Sequence, residues 1–257
     1  MDLGLYGLSG LGLVIPSPSF REERDSFPGL DGEILLGRDL EPREIEAPFF
    51  ISAADYPDSL MLRDVLYQLF SEVDYIGEVQ QPGKWWKVRL VDEFKPERIN
   101  PRTFRADIPF YCESGKAESL GSTGDALEWD VDKWQWGMGL TPEEYSYEHN
   151  TSRFFIYNAG AVEVNPRKMP LEISLTGIAS DYVEIINHTT NDVFRYEGAL
   201  NSSNTLKLTG IRSLIDNLSV LRQTNKKLIT LAPGANDIEV KGVDVERIFF
   251  EFKFYYL

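Results

Sequence analysis

A mainly β architecture in two domains, with a single helix in the first, is what this sequence predicts. Three observations carry that expectation. Along 103–112 the apolar residues recur with a period of two: Phe104, Ala106, Ile108, Phe110 and Cys112 face one way, and Thr103, Arg105, Asp107 and Tyr111 the other. That alternation is the signature of a half-buried antiparallel strand. Short stretches of strand-forming residues then repeat between turn formers, at 153–157, 171–176, 182–187, 193–197, 205–209, 228–231 and 236–241, as in a β-sandwich. The chain closes on RIFFEFKFYYL, where Ile248, Phe250, Phe252, Phe254 and Tyr256 share one face.

In chain order, residues 20–43 are charged and punctuated by Pro28, Gly29, Gly32 and Gly37, which predicts loops around short strands. Residues 1–43 are too Gly-rich and strand-like to form a core alone. They are expected to make strands or arms that pair with a neighbour's edge. An apolar stretch, 44–51, follows. The helix comes next, over about 57–73, because Leu62, Val65, Leu66, Leu69, Phe70 and Val73 form one stripe at helical spacing. Asp55 fits the N-cap, and Pro57 and Asp58 fit the first turn, where a missing N–H and a negative charge are both tolerated. After the Pro82-Gly83 turn, Trp86, Val88 and Leu90 alternate as a strand.

Residues 113–150 break the pattern with five glycines and a run of acidic residues. This places a domain boundary so that 1–148 form the first domain and 149–257 the second, with the last strand, 247–257, able to return to the first. Between 211 and 223, Ile211, Leu214, Ile215, Leu218 and Leu221 fit a helix and also fit two strands about an Asp216-Asn217 turn. Both turn residues tolerate positive φ, and the all-β surroundings favour the hairpin.

Composition narrows the function classes. The 257 residues carry 26 Lys plus Arg against 41 Asp plus Glu, a formal net charge of -15. Such a chain repels phosphate backbones, so no stable nucleic-acid binding is expected. One cysteine excludes an intrachain disulfide. With only His149 and His188 besides it, no zinc ligand set exists. The apolar start lacks Lys or Arg before it and is interrupted by glycines, so it is read as no signal peptide. No apolar run is long enough to insert in a membrane. Sequons at Asn150, Asn187, Asn201 and Asn217 are read as chance matches in turns.

Few residues invite chemistry. Trp129, Trp134 and Trp136, with Asp130 and Asp132, have the composition of a sugar platform, on which indole faces stack against pyranose rings. The reading favoured for them is a hairpin or interdomain packing segment, because tryptophans carry large burial energies. Asp125, Asp130 and Asp132 lack the spacing and glycine of a calcium loop and read as a solvated acidic loop. Cys112 reads as a buried structural thiol and His188 as a turn residue. No P-loop, G-x-S-x-G or dinucleotide fingerprint occurs. No catalytic residue, cofactor or metal is assigned, and no enzyme activity is expected.

Several stretches taken together resemble the distal tail protein family of siphophages. FPGLDGEILLGRDLEPREIEAPFFI, 27–51, is similar to the family's first-domain pattern through Pro28-Gly29, Asp31-Gly32, Gly37 and Arg43-x-Ile45. LRDVLYQLF, 62–70, matches its helix, PGKWWKVRLVD, 82–92, the strand after it, and RTFRADIPFYCESGKAES, 102–119, the strand leading out of the domain. In the second half, RFFIYNAGAVEVNPRKMPLEISLTG, 153–177, IINHTTNDVFRY, 185–196, and TNKKLITLAPGANDIEVKG, 224–242, follow in the family's order. Each motif is only a strand and a turn; their order is what carries the resemblance.

The resemblance implies a ring-forming β domain with one helix, followed by a galectin-like β-sandwich. It implies a structural, non-enzymatic protein at the distal end of the virion tail. Its implied partners are copies of itself in a homohexameric ring, the tail tube protein, and hub, tail-fibre or receptor-binding proteins of the adhesion device or baseplate. The alternative is a carbohydrate-binding module for host surface glycans. Against it, residues 150–257 hold no Trp and a single His.

Overall fold

The computed structural model describes residues 7–29, 31–125, 134, 137–140 and 145–257. The chain is mainly β, with one α-helix among the described residues, and divides into two compact units, 1–117 with Leu257 and 118–256. The division precedes the 148/149 boundary expected from glycine content. The reason is long-range bonding. Ser119 N donates to Phe254 O at 2.8 Å, Thr123 N to Phe252 O at 2.9 Å, and Thr123 Oγ1 to Phe250 O at 2.8 Å. The chain after residue 117 is therefore tied to the C-terminal strands.

The first unit contains β1 (Leu8–Gly10), β2 (Phe20–Asp25), β3 (Ile34–Leu40), β4 (Arg43–Ser52), α1 (Tyr56–Ser71), β5 (Tyr75–Gly77), β6 (Lys84–Lys87), β7 (Arg89–Leu90), β8 (Glu97–Arg98) and β9 (Thr103–Cys112). Its central pairing is antiparallel, β4 against β9, from Arg43 opposite Cys112 to Ser52 opposite Thr103. β1 flanks β4, and β7 and β8 flank β9. The period of two seen in the sequence is realised: Ala106, Ile108, Phe110 and Cys112 are buried and Phe104 half-buried, and on β4 Ile45, Ala47, Phe49 and Ile51 are buried opposite Phe110, Ile108, Ala106 and Phe104. α1 starts where its cap demands, with Asp55 accepting from Asp58 N at 2.9 Å. Phe70 anchors it, its ring 5.2 Å from Phe49 and 6.2 Å from Phe110, centroid to centroid.

The second unit holds β10 (Ala117–Ser119, beginning at the division), β11 (Glu148–His149), β12 (Arg153–Asn158), β13 (Leu171–Ile178), β14 (Tyr182–Asn187), β15 (Asp192–Glu197), β16 (Leu206–Thr209), β17 (Arg212–Ile215), β18 (Leu218–Ser219), β19 (Gly234–Lys241), β20 (Asp244–Phe252) and β21 (Tyr255–Tyr256). Two antiparallel sheets make a sandwich: β11-β20-β13-β16-β17-β18 and β12-β19-β14-β15. Ile156, Leu175, Val183, Ile185, Ile238, Ile248 and Phe250, drawn from both sheets, are wholly buried. β20 pairs along β13 within this unit, and Leu257 is grouped with the first unit.

Two sequence ambiguities resolve on local physics. Within 211–223, β17 and β18 form a hairpin turning on Asp216 at φ 48° and Asn217 at φ 67°, and the second strand, expected to run to 223, ends at Ser219 before a 3-10 turn at Leu221–Gln223. Two consecutive positive φ values are what a tight hairpin turn requires. The expected strand at 228–231 makes only an isolated bridge, Leu231 to Val164. Side-chain amides hold it instead: Asn187 Nδ2 donates to Thr230 O at 2.7 Å and Asn158 Nδ2 to Leu231 O at 3.1 Å. Buried amides satisfied in this way replace ladder bonds.

Candidate functional site: an arm and a groove on the first unit

β2 and β3 pair only with each other, from Phe20 opposite Leu40 to Asp25 opposite Ile34. The result is a two-stranded ribbon with both faces largely in water: β2 is exposed after Phe20, and Ile34, Leu35 and Leu36 are 43%, 54% and 58% exposed in succession. Lone two-stranded ribbons are marginal in water, so the ribbon needs local braces. At its base Glu41 N donates to Ser19 O at 3.0 Å, and Arg38 lies 3.8 Å over the Phe20 ring. Further out Arg24 pairs with Glu22 and, at 3.2 Å, with Glu33. The hydrogen bond from Arg24 holds the Glu22 carboxyl below its ordinary pKa. Besides Glu33, residues 25–36 hold Asp25 and Asp31 and no Lys or Arg. Phe27, in this tip, is half exposed.

The second feature is a groove of about 390 Å³ beside α1. Ile51 and Phe104 line it, Tyr56, Leu60 and Leu66 come from the helix, and Lys95, Pro96 and Arg98 complete it. Three basic side chains, Arg63, Lys95 and Arg98, are part of the lining, and no acidic one is. Arg63 is paired with Asp64 at 3.0 Å. Arg98 Nε donates to Asn100 O at 3.2 Å, and its guanidinium lies 5.7 Å from the Tyr56 ring centroid. Neither Lys95 nor Arg98 meets a carboxylate among the described residues. α1 is only partly buried: Ser59, Leu66 and Phe70 are its buried residues, while Tyr56, Leu60, Met61, Val65 and Tyr67 remain exposed.

Other sequence-singled residues fall elsewhere. Trp134 is buried at 1% exposure, 5.7 Å from the Phe254 ring and pressed on Gly121, so its faces are taken by protein. Trp129 and Trp136 lie outside the described residues, as do Asp130 and Asp132. Cys112 is buried. His149 stacks on Phe154 with ring centroids 4.3 Å apart, and burial pushes its pKa down. His188 is committed to Glu239 at 2.8 Å. Beside it Arg153 holds Asp237 at 3.1 and 2.7 Å, so much of the charge on the outer face of the β12-β19-β14-β15 sheet is paired within the sheet. No cluster of three or more potential metal ligands occurs among the described residues.

Sequence reasoning expected the arm and missed the groove. The available signal was the apolar excess on α1: Leu60, Met61 and Tyr67 lie outside the stripe that faces the core. A helix apolar on more than one side has a second surface to cover.

Comparison with known proteins agrees with this layout. Residues 3–112 match the family described as phage tail protein RIFT-related domain. No curated protein matches the chain. Among solved structures, the SPP1 Dit (gp 19.1) protein, described as a paradigm of the hub adsorption apparatus in phages infecting Gram-positive hosts, superposes with a TM-score of 0.71 at 14% identity, over 100% of this chain and 96% of that one. A chain of the phage p2 baseplate in its activated conformation with Sr gives a TM-score of 0.42 at 11% identity, over 98% and 92%. Residues 3–112, the span that carries both arm and groove, thus match the phage tail protein RIFT-related domain, in a chain whose fold is like that of the SPP1 Dit protein.

Proposed function

We propose that this chain is a structural distal tail protein of a long-tailed phage, closing with copies of itself into a ring that joins the tail tube to the adhesion device or baseplate. The observation that carries the reading is end-to-end: the fold likeness to a hub protein spans the whole chain, and the tail-domain match falls on the unit with the unsatisfied surfaces. A head-to-tail contact that repeats around a closed rotation makes a ring, and the family resemblance makes it six-fold. The first unit builds that ring. The second, a sandwich of galectin-like type, faces the partners of the adhesion device. No step in this role needs catalysis, a cofactor or a metal.

The acidic composition suits a channel. DNA leaving the capsid crosses the ring without being held, and a basic lining would retain it through released counterions. The excess of Asp and Glu supplies a lining that does not. The test is solution mass over a wide concentration range, with and without tail tube protein, together with negative-stain images. Rings of about six copies are expected. A chain that stays monomeric even with tail tube protein present would overturn the reading.

A further inference from the structure

The arm tip and the groove match each other in chemistry. The tip combines apolar side chains, Phe27, Ile34, Leu35 and Leu36, with Asp25 and Asp31, its Glu33 being paired with Arg24. The groove combines an apolar floor with Arg63, Lys95 and Arg98 and no anion. Each is incomplete alone. The ribbon exposes three consecutive large apolar residues, which a lone hairpin in water does not support well. The groove exposes Tyr56 and Leu60 under two cations that meet no carboxylate among the described residues. In a protein of net charge -15, two lining cations, Lys95 and Arg98, that meet no carboxylate among the described residues stand out, Arg63 being paired with Asp64.

We infer that the arm tip of one copy docks in the α1 groove of the next copy. Leu35 and Leu36 enter the apolar floor, and Asp25 and Asp31 meet Lys95 and Arg98 at the rim. This deepens the ring reading and rests on it for the number of copies, though not for the contact itself. The occupant is a second copy because arm and groove are carried by one chain in equal number. Arm-to-groove is also a heterologous contact, the kind that propagates from copy to copy until it closes. Opposite charges at the rim fix register and exclude the tip of a basic protein.

Paired cysteines in the full chain test it. Leu35→Cys with Leu60→Cys places one thiol on the tip and one in the groove. Under mild oxidation this double variant should give a ladder of covalent oligomers on a non-reducing gel. Leu35→Cys with Ile211→Cys, exposed on the second unit, should give none beyond background. The native Cys112 is buried and does not compete. A second arm of the test uses charge. Lys95→Glu with Arg98→Glu should weaken association about tenfold, and adding Asp25→Lys with Asp31→Lys to the same chain should recover most of it. Rings without the ladder, or association indifferent to the charge changes, would overturn the docking and leave the ring reading standing. A ladder without rings would keep the docking and overturn the ring. Neither rings nor ladder would end both.

Discussion

The two units treat apolar surface in opposite ways. Of the twenty-two large apolar residues left exposed among the described residues, sixteen lie in the first unit and six in the second, although the second is the longer. The second unit interdigitates two sheets around side chains at zero exposure, so its stability comes from within. The first buries one face of its sheet and half of its helix, and leaves a ribbon and a groove in water. A unit completed by other chains must keep contact surface in reserve; a unit that is already closed need not. The largest expected effect follows from that contrast. Phe250→Ala empties a fully buried position and should destabilise the second unit by about 3–5 kcal/mol. Phe27→Ala, at the half-exposed tip, should change the isolated chain by no more than about 0.5 kcal/mol while weakening association. Denaturant unfolding gives both values. Equal losses would break the comparison.

A polar defect in the first unit sharpens it. Arg43 is 3% exposed, and among the described residues its Nε and Nη2 have no hydrogen-bond partner and its Nη1 reaches only Pro16 O at 3.5 Å. Its guanidinium lies 5.2 Å from the Trp86 ring, and burial pushes its pKa down. A buried cation with unmet donors costs about 1–3 kcal/mol. Arg43→Met keeps most of the volume and removes the defect, so it should raise the unfolding midpoint of the first unit and leave that of the second unmoved. A lowered midpoint would mean that the guanidinium stabilises the unit.

Much of the fold was legible because the signals were local. The β9 alternation, the Asp55 cap and the Asp216-Asn217 turn each rest on a few adjacent residues whose chemistry admits one good backbone solution. The division at 117/118 was not legible. It depends on Ser119 and Thr123 bonding to strand residues far along the chain, and no periodicity announces such partners. Trp134 is a similar case: its composition fits a binding platform, and only the approach of Phe254 and Gly121 makes it core. Of the candidate site, the arm was readable from its Gly and Pro punctuation. The groove was not, since Ile51, Leu66, Lys95 and Phe104 meet only through tertiary packing.

Glycines at the two ends of the arm give a smaller and more local test. Gly115, at φ 64°, sits where a Cβ would come within 2.3 Å of Glu41 O and 3.1 Å of Leu40, at the foot of the ribbon. Gly29, at φ 91°, lies between the two arm strands with nothing within 4 Å. Alanine at Gly29 pays the backbone term alone, about 1 kcal/mol. Alanine at Gly115 adds a clash with backbone and should cost about 2–3 kcal/mol. Amide exchange should therefore quicken throughout β2 and β3 in Gly115→Ala and only near the tip in Gly29→Ala. Identical patterns would show that the ribbon is not braced at its foot.

The smallest effect is electrostatic, and it should fail to separate the units. On the second, Asp237 is held below the usual carboxylate range chiefly by its hydrogen bond from Arg153, and Glu239 chiefly by its hydrogen bond with His188 and then by Lys241. On the arm, Glu22 is held down by Arg24. A carboxylate whose folded pKa is depressed contributes stability that is present above its unfolded value and lost as pH falls through the folded one. The unfolded values are 3.8 for Asp237 and 4.5 for the two glutamates, so the loss begins near pH 4.5 and continues below it. All three groups face water, where such pairs are weak. Both unfolding transitions should therefore decline together and shallowly below pH 4.5, and Glu239→Gln should flatten only the second. A first unit that collapsed alone on acidification would show that charge, rather than its open apolar surface, is what sets it apart from the sandwich.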